Sequence, residues 1–204
     1  MNEPACRLYL IAPTGLAPLA TANAVASAAE GGDIAAVLVP AGNDTAAVCA
    51  ACAPITAPAG IALIVAGADS FSVPGEADGL HLENADPKAL ALAVKRLHPR
   101  LSVGVGAIED RHAAMLAGEE GPDYVMFGRI ADSTPASADL VGWWSELFTI
   151  PSVAIIGDRL EDAALLIAAG ADFVAAGNAV WNARECPADA VARLNRLCAG
   201  EVVA

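Results

Sequence analysis

The sequence has little positive charge. Its 204 residues include 11 Lys and Arg against 24 Asp and Glu, so the formal net charge is −13 at pH 7. Binding to a nucleic-acid backbone requires a basic face, and the charge therefore argues against nucleic acid as a partner. A small phosphorylated ligand is still compatible with the charge, because backbone N–H groups at loop-to-helix junctions can hold a phosphate without any net positive charge.

Long apolar runs and a cysteine framework are also missing. No uninterrupted apolar stretch reaches the roughly 18–20 residues that span a bilayer. The amino terminus, MNEPACRLYL, has Glu3 where a signal peptide has its basic region. The five cysteines are odd in number, and Cys49 and Cys52 form a C-x-x-C only inside the Ala-rich segment AAVCAACA. We therefore expect a cytoplasmic protein with no membrane partner, and we interpret both cysteines as small buried helix residues.

What the sequence does contain is a unit that recurs about eight times, a short apolar run followed by a helix-like Ala/Leu segment. Continuous apolar runs indicate strands buried on both faces, as in parallel sheets covered by helices. The pattern predicts a single (β/α)₈ TIM barrel over residues 1–204, with an open doubly wound sheet as the alternative. The apolar runs are Leu8–Ala12, Ile34–Val39, Ile61–Ala66, Gly79–Leu82, Leu101–Val105, Tyr124–Phe127, Ser152–Ile156 and Phe173–Ala176.

The chain resembles a known family, the thiamine phosphate synthase and thiazole tautomerase superfamily of small barrels. The segments DGLHLENAD at 78–86 and DYVMFGRI at 123–130 are the most specific parts of this resemblance. LYLIAP at 8–13, IPSVAIIGD at 150–158 and GADFVAAGNAV at 170–180 extend it over nearly the whole chain. The resemblance implies an enzyme of thiamine biosynthesis that couples a pyrimidine diphosphate to a thiazole phosphate and releases pyrophosphate with the help of Mg²⁺.

The residues that such an enzyme is expected to use for the diphosphate are mostly replaced. After the second strand the family has a basic segment, where this chain reads VLVPAGN. Arg129 is the only basic residue directly after a strand at the mouth, and the only two lysines, Lys88 and Lys95, lie on a predicted helix. Departure of a diphosphate needs cations where the charge develops, and one lost donor lowers a rate by roughly a hundred- to a thousandfold. The sequence therefore does not predict full synthase activity.

A phosphate pocket is predicted after the seventh and eighth strands. Gly157 follows the seventh strand, and Gly177 and Asn178 follow the eighth. Barrels frequently bind phosphate at this place through backbone N–H groups, and glycine allows the backbone to approach a ligand closely. Ile156 stands where the family has a second glycine, and its side chain is expected to narrow the pocket.

Two further groups of residues are candidates for chemistry. Asp86, with Asp69 as a second carboxylate, would hold Mg²⁺ by resemblance, since hard cations prefer carboxylate oxygen; Asp86 is equally well placed to cap a helix. His81 and Glu83 lie on the same face of the fourth strand and could form an acid/base pair in the lumen. The alternative for His81 is a hydrogen-bonded filler of the barrel.

Three functions remain open at this point. The first is a thiamine phosphate synthase-like transferase, with Arg129 and the strand-seven and strand-eight amides holding phosphate. The second is a thiazole tautomerase-like isomerase in which His81 or Glu83 moves a proton. The third is a barrel that binds a phosphorylated small molecule without catalysis. Trp143 and Trp144 suggest a homodimer, because aromatic residues are enriched at interfaces.

Overall fold

The structure is a computed structural model that describes residues 6–42, 44–67, 72–84 and 86–201. Eight parallel strands form a closed barrel in chain order, and the first strand pairs with the last. The predicted (β/α)₈ barrel is confirmed, and the alternative of an open sheet is wrong. The strands are β1 (Arg7–Ile11), β2 (Ala36–Val39), β3 (Ala62–Gly67), β4 (Gly79–Glu83), β5 (Ser102–Ile108), β6 (Tyr124–Phe127), β7 (Ser152–Ile155) and β8 (Phe173–Ala176).

Helices cover the outside of the barrel between most of the strands. They are α1 (Pro18–Ala29), α2 (Thr45–Thr56), α3 (Pro87–Leu97), α4 (Arg111–Glu119), α5 (Ala138–Leu147), α6 (Asp162–Ala168), α7 (Asn178–Trp181) and α8 (Pro187–Cys198). Between β3 and β4 the described residues 72–78 contain no helix, as the Pro- and Gly-rich sequence predicts. Among the described residues, no helix is both long and apolar enough to cross a bilayer.

Aspartate is a favoured N-cap residue, but the side chain of Asp44, just before α2, makes no capping hydrogen bond. The Thr45 hydroxyl accepts from the Gly42 N–H at 2.8 Å. β5 continues past the apolar run Leu101–Val105 to Ile108, through an irregularity in its pairing with β6. Ala107 has φ of 56° there, so the strand resumes beyond a left-handed residue.

An aspartate in front of each of three even-numbered strands ties that strand to its predecessor. Asp78, before β4, accepts the Leu63 N–H of β3 at 2.8 Å. Asp123, before β6, accepts the Val103 N–H of β5 at 2.7 Å, and Asp172, before β8, accepts the Ser152 N–H of β7 at 2.8 Å. We call these residues the aspartate clamps. They lie at the amino-terminal edge of the barrel, where the sequence predicts only strand starts.

The core has two layers, one inside the barrel and one between the strands and the helices. Inside, Tyr9, Ile64, Met126 and Val153 belong to one apolar cluster of the lumen. The outer layer contains Cys49 and Cys52, both with no exposed surface, which confirms their structural interpretation. Ile156 also packs in this outer layer with 2% of its surface exposed, so it contributes to the packing behind β7.

Candidate functional site

The carboxyl ends of the strands form a cleft that contains all three residues of the predicted phosphate pocket. This mouth cavity of about 330 Å³ is lined by Gly157, Gly177 and Asn178 together with Ile11 and Trp181. None of the described residues that line it is charged. The Asn178 amide donates to the Ser133 hydroxyl at 3.0 Å, and the Trp181 indole N–H donates to the Ile11 carbonyl at 2.7 Å. A phosphate here would meet backbone and amide dipoles rather than side-chain cations.

A second cavity of about 410 Å³ adjoins the first on the side of α1 and α2. The two cavities share Ala12, Pro13, Thr14, Pro40 and Ala41, the residues that follow β1 and β2. Thr21 and Thr45 add hydroxyl groups to the second cavity, and Asp44 is the one charged residue among the described residues of its lining. The described part of the space after β2 is therefore polar and slightly acidic.

Arg129 is held by carboxylates rather than facing the mouth cavity. Its guanidinium contacts Glu109 at 3.0 Å and Asp132 at 2.6 Å, and it also donates to the Thr134 hydroxyl at 3.1 Å. The hydrogen bonds with Asp132 raise the pKa of Arg129, and the same contact is the main reason that the pKa of the Asp132 carboxyl is lowered. With both carboxylates ionised, the negative charge of Glu109 and Asp132 exceeds the positive charge of the Arg129 guanidinium at this point of the mouth.

His81 and Glu83 do contact each other, as their alternation on β4 predicts. His81 is completely buried, and its Nε2 lies 3.3 Å from the Glu83 carboxylate, whose side chain is 27% exposed. On its other side, His81 Nδ1 lies 3.0 Å from the Tyr124 hydroxyl. Neither residue lines the mouth cavity. The site candidates therefore fall into two groups, the cleft after β7 and β8 and the pair on β4.

Asp86 acts as a helix cap. Its Oδ1 atom accepts the backbone N–H groups of Lys88 at 2.8 Å and Ala89 at 3.0 Å, which satisfies two free donors of α3. Asp69, the second predicted ligand of Mg²⁺, lies outside the described residues. Within the described ranges, no group of three or more His, Cys, Asp or Glu side chains is placed to hold a metal ion. A magnesium ion held by Asp86 therefore stays a prediction, and it would need further oxygen ligands, such as those of a substrate phosphate.

Comparison with known proteins decides the family. The sequence pattern of the family described as thiamine monophosphate synthase matches residues 8–180. The chain belongs to this family. A thiamine-phosphate synthase of Rhodospirillum centenum is 37% identical over 205 residues, covering 96% of this chain and 99% of the relative. The thiamine-phosphate synthase of Hyphomonas neptunium is 35% identical over 210 residues, covering 96% of this chain and 95% of the relative.

Solved structures carry the family fold as well. A thiamine phosphate pyrophosphorylase from Pyrococcus furiosus superposes with a TM-score of 0.80 at 22% identity, covering 96% of each chain. An orotidine 5'-phosphate decarboxylase from Pyrococcus horikoshii superposes with a TM-score of 0.69 at 15% identity, covering 94% of this chain and 99% of that one. At these identities, the likeness establishes the shared barrel.

The partners of His81 and Arg129 are the residues that the sequence analysis did not find. Tyr124 and Tyr9 lie on inward-facing positions of β6 and β1, and their hydroxyls are 2.8 Å apart. A signal for them is present on β5, where glycine alternates with valine at 103–106. Glycine on the inward face of a strand indicates that a large neighbour needs the space. The sequence contains no comparable pattern that would indicate Glu109 and Asp132 as partners of Arg129.

Proposed function

We propose that this chain couples a pyrimidine diphosphate to a thiazole phosphate to give thiamine phosphate, with pyrophosphate as the leaving group. The observation that carries the proposal is the pair of adjoining cavities at the mouth, which offers room for two substrates that meet at Ala12–Thr14. Full-length relatives with the name thiamine-phosphate synthase support it.

The thiazole phosphate would occupy the mouth cavity, with its phosphate against the backbone of Gly157 and Gly177 and the Asn178 amide. The pyrimidine would occupy the second cavity, where Thr21 and Thr45 supply hydroxyl groups. The leaving diphosphate would have to compete with Glu109 and Asp132 for the guanidinium of Arg129. We therefore expect turnover below that of an enzyme with free cations at this place.

Incubation of the purified protein with both substrates and Mg²⁺ tests the reaction. Thiamine phosphate is expected to accumulate in proportion to protein and time. Asn178→Asp is expected to raise the KM for thiazole phosphate, because a carboxylate at the cleft opposes the phosphate. Asn182→Asp is the matched control, since this exposed asparagine lies just after α7 and outside the cavity lining. Absence of product above the protein-free background, with the protein folded, would remove the proposal.

The role of Arg129 is tested by pyrophosphate inhibition. Asp132→Asn removes one of the two carboxylates on the guanidinium, so pyrophosphate is expected to inhibit this variant more strongly than the unchanged protein. Arg129→Gln is expected to weaken inhibition. If pyrophosphate has the same inhibition constant for the unchanged protein, Asp132→Asn and Arg129→Gln, the diphosphate does not bind at Arg129.

The contact between His81 and Glu83 favours a second candidate function, a tautomerase-like isomerase. In such a reaction the Glu83 carboxylate would take a proton from one atom of the ligand and return it to another, with no net change in the enzyme. A thiazole carboxylate phosphate incubated in D₂O would then take up deuterium, and Glu83→Gln would abolish the uptake. If ligands stabilise the protein against heating but neither product nor deuterium appears, the third reading, a non-catalytic binding barrel, replaces both.

A further inference from the structure

A continuous chain of hydrogen bonds runs along the inside of the barrel. It links the Tyr9 hydroxyl of β1 to the Tyr124 hydroxyl of β6 at 2.8 Å, and Tyr124 to His81 Nδ1 of β4 at 3.0 Å. His81 Nε2 then reaches the Glu83 carboxylate at 3.3 Å. The two tyrosines line a cavity of about 250 Å³ on the amino-terminal side, whereas Glu83 reaches solvent at the carboxyl end. This chain of hydrogen bonds therefore spans the lumen of the barrel.

Two glycines on β5 leave room for the side chains that form this chain of hydrogen bonds. A Cβ atom at Gly104 would lie 2.0 Å from the Tyr124 ring, and one at Gly106 would lie 2.5 Å from His81 Nε2. The Tyr124 and His81 rings stack, with centroids 5.7 Å apart and planes inclined by 11°. Both rings are therefore confined to one orientation by the backbone of β5.

With Glu83 ionised and His81 carrying a single proton, the donors and acceptors of this chain of hydrogen bonds can be satisfied in one direction only. A carboxylate can only accept, so His81 Nε2 must carry the proton that is donated to it. Neutral His81 then presents Nδ1 as an acceptor, the Tyr124 hydroxyl donates to it, and the Tyr9 hydroxyl donates to Tyr124. Burial raises the pKa of both tyrosines, so each hydroxyl keeps its proton. Every proton of the chain then has an acceptor.

We propose that Tyr124 is the positioning residue of the His81–Glu83 pair, because its hydroxyl donates to Nδ1 and so supports, together with the Glu83 carboxylate, the Nε2–H tautomer that directs a donor at Glu83. The tautomer itself does not depend on any activity. Its consequence for proton transfer rests on the isomerase function proposed above. In that reaction Tyr124 acts through His81 and does not touch the ligand.

Among the described residues, Tyr124 is the one side chain that hydrogen-bonds to His81 Nδ1. Arg129, after β6, contributes positive charge near Glu83 but is bonded to Asp132 and Glu109. The residues of β3 and β5 that pair with His81 and Glu83 are Ala66, Gly104 and Gly106, which carry no titratable group. The acceptor at Nε2, Glu83, and the donor at Nδ1, Tyr124, therefore together determine which His81 nitrogen carries the proton.

The experiment is ¹⁵N NMR of the imidazole ring in a protein with His98→Gln and His112→Gln, which leaves His81 as the only one of the three histidines. The expected spectrum has a pyridine-type shift for Nδ1 and a pyrrole-type shift for Nε2. Tyr124→Phe removes the donor to Nδ1 and is expected to move the two shifts towards each other, because Glu83 alone then favours the Nε2–H tautomer and the other tautomer gains population. A pyrrole-type Nδ1 in the starting protein would overturn the proposal without any further variant.

Two control variants separate the hydroxyl of Tyr124 from its surroundings. Tyr9→Phe should keep the single tautomer, since Tyr124 can still donate to His81. Phe173→Leu, which alters the same amino-terminal cavity, should leave both shifts unchanged. A spectrum that Tyr124→Phe does not alter, or that Phe173→Leu alters equally, contradicts the positioning role. The synthase and isomerase assays are separate, so a failed activity does not count against the tautomer.

Discussion

At the scale of single residues, Gly104 shows how little space separates β5 from the ring of Tyr124. A methyl group at this position would overlap the ring, with contacts of 2.0 to 2.4 Å. Gly104→Ala is therefore expected to lower the free energy of unfolding by about 1–3 kcal/mol, the range for overpacked cores. Urea unfolding followed by fluorescence measures the change.

Gly142 provides the matched control for this substitution. It lies inside α5, and the nearest atom that an added Cβ would meet is the Ala169 carbonyl oxygen at an ordinary 3.7 Å. Gly142→Ala is therefore expected to stabilise the protein by about 0.5–1 kcal/mol, because alanine loses less conformational freedom than glycine when a helix forms. Equal effects of the two substitutions would mean that the space beside Tyr124 is not limiting.

Two substitutions of Asp86 can separate its role as the N-cap of α3 from a role as a metal ligand. Asparagine is as good an N-cap as aspartate, whereas Asp86→Ala is expected to cost about 0.5–2 kcal/mol of stability. Asp86→Asn should thus melt like the unchanged protein, which differential scanning calorimetry can check. If Asp86→Asn keeps its stability but loses a magnesium dependence of turnover, the residue is a metal ligand as well as a cap.

At the scale of strands and helices, the aspartate clamps hold neighbouring strands in register. The Asp172 carboxylate accepts both the backbone N–H and the hydroxyl of Ser152, a residue with no exposed surface. Asp172→Ala leaves these two donors without their acceptor and is expected to cost about 1–3 kcal/mol. Amide hydrogen exchange should then accelerate at β7 and β8 first; equal acceleration throughout the barrel would argue against a local clamp.

The elements themselves could be predicted largely from apolar runs, and the exceptions have local physical causes. β6 and β8 have the predicted bounds, since polar or glycine residues flank a buried run at both ends. β5 extends beyond its apolar run at 101–105, because Ile108 pairs again with Phe127 after the irregular stretch at Gly106 and Ala107. The chain of hydrogen bonds from Tyr9 to Glu83 could not be predicted, because its members are far apart in the sequence. His81 and Tyr124 are 43 positions apart, and Tyr9 and Tyr124 are 115 positions apart. Only the closed barrel brings them together.

At the scale of the whole molecule, the net charge of −13 implies repulsion between parts of the same surface. Raising the salt from about 0.01 M to about 0.1 M shortens the Debye length from about 30 Å to about 10 Å and weakens this repulsion. The melting temperature at pH 7 is therefore expected to rise over this range. The rise should shrink near the sequence pI of about 4.4, where the charges balance. A fall in melting temperature at pH 7 would show that attractive ion pairs dominate.

Association of two copies also stays a prediction, and the structure shows which tryptophan can test it. Trp144 is completely buried and donates its indole N–H to the Ile150 carbonyl at 2.8 Å. Trp143 is only partly buried and packs beside Arg111 and Phe148. If α5 forms a homodimer interface, Trp143→Glu is expected to halve the mass found by sedimentation; an unchanged mass removes this interface.

The aspartate clamps have a consequence for how such a barrel changes in evolution. Asp78, Asp123 and Asp172 secure the strands at one edge, whereas the cleft and the Arg129 loop occupy the opposite edge. Sequence drift at the mouth therefore leaves these anchors in place and costs little folding stability. Residues at the mouth can therefore be replaced without loss of the clamps, so this barrel is a suitable starting scaffold for laboratory selection of new ligand specificity.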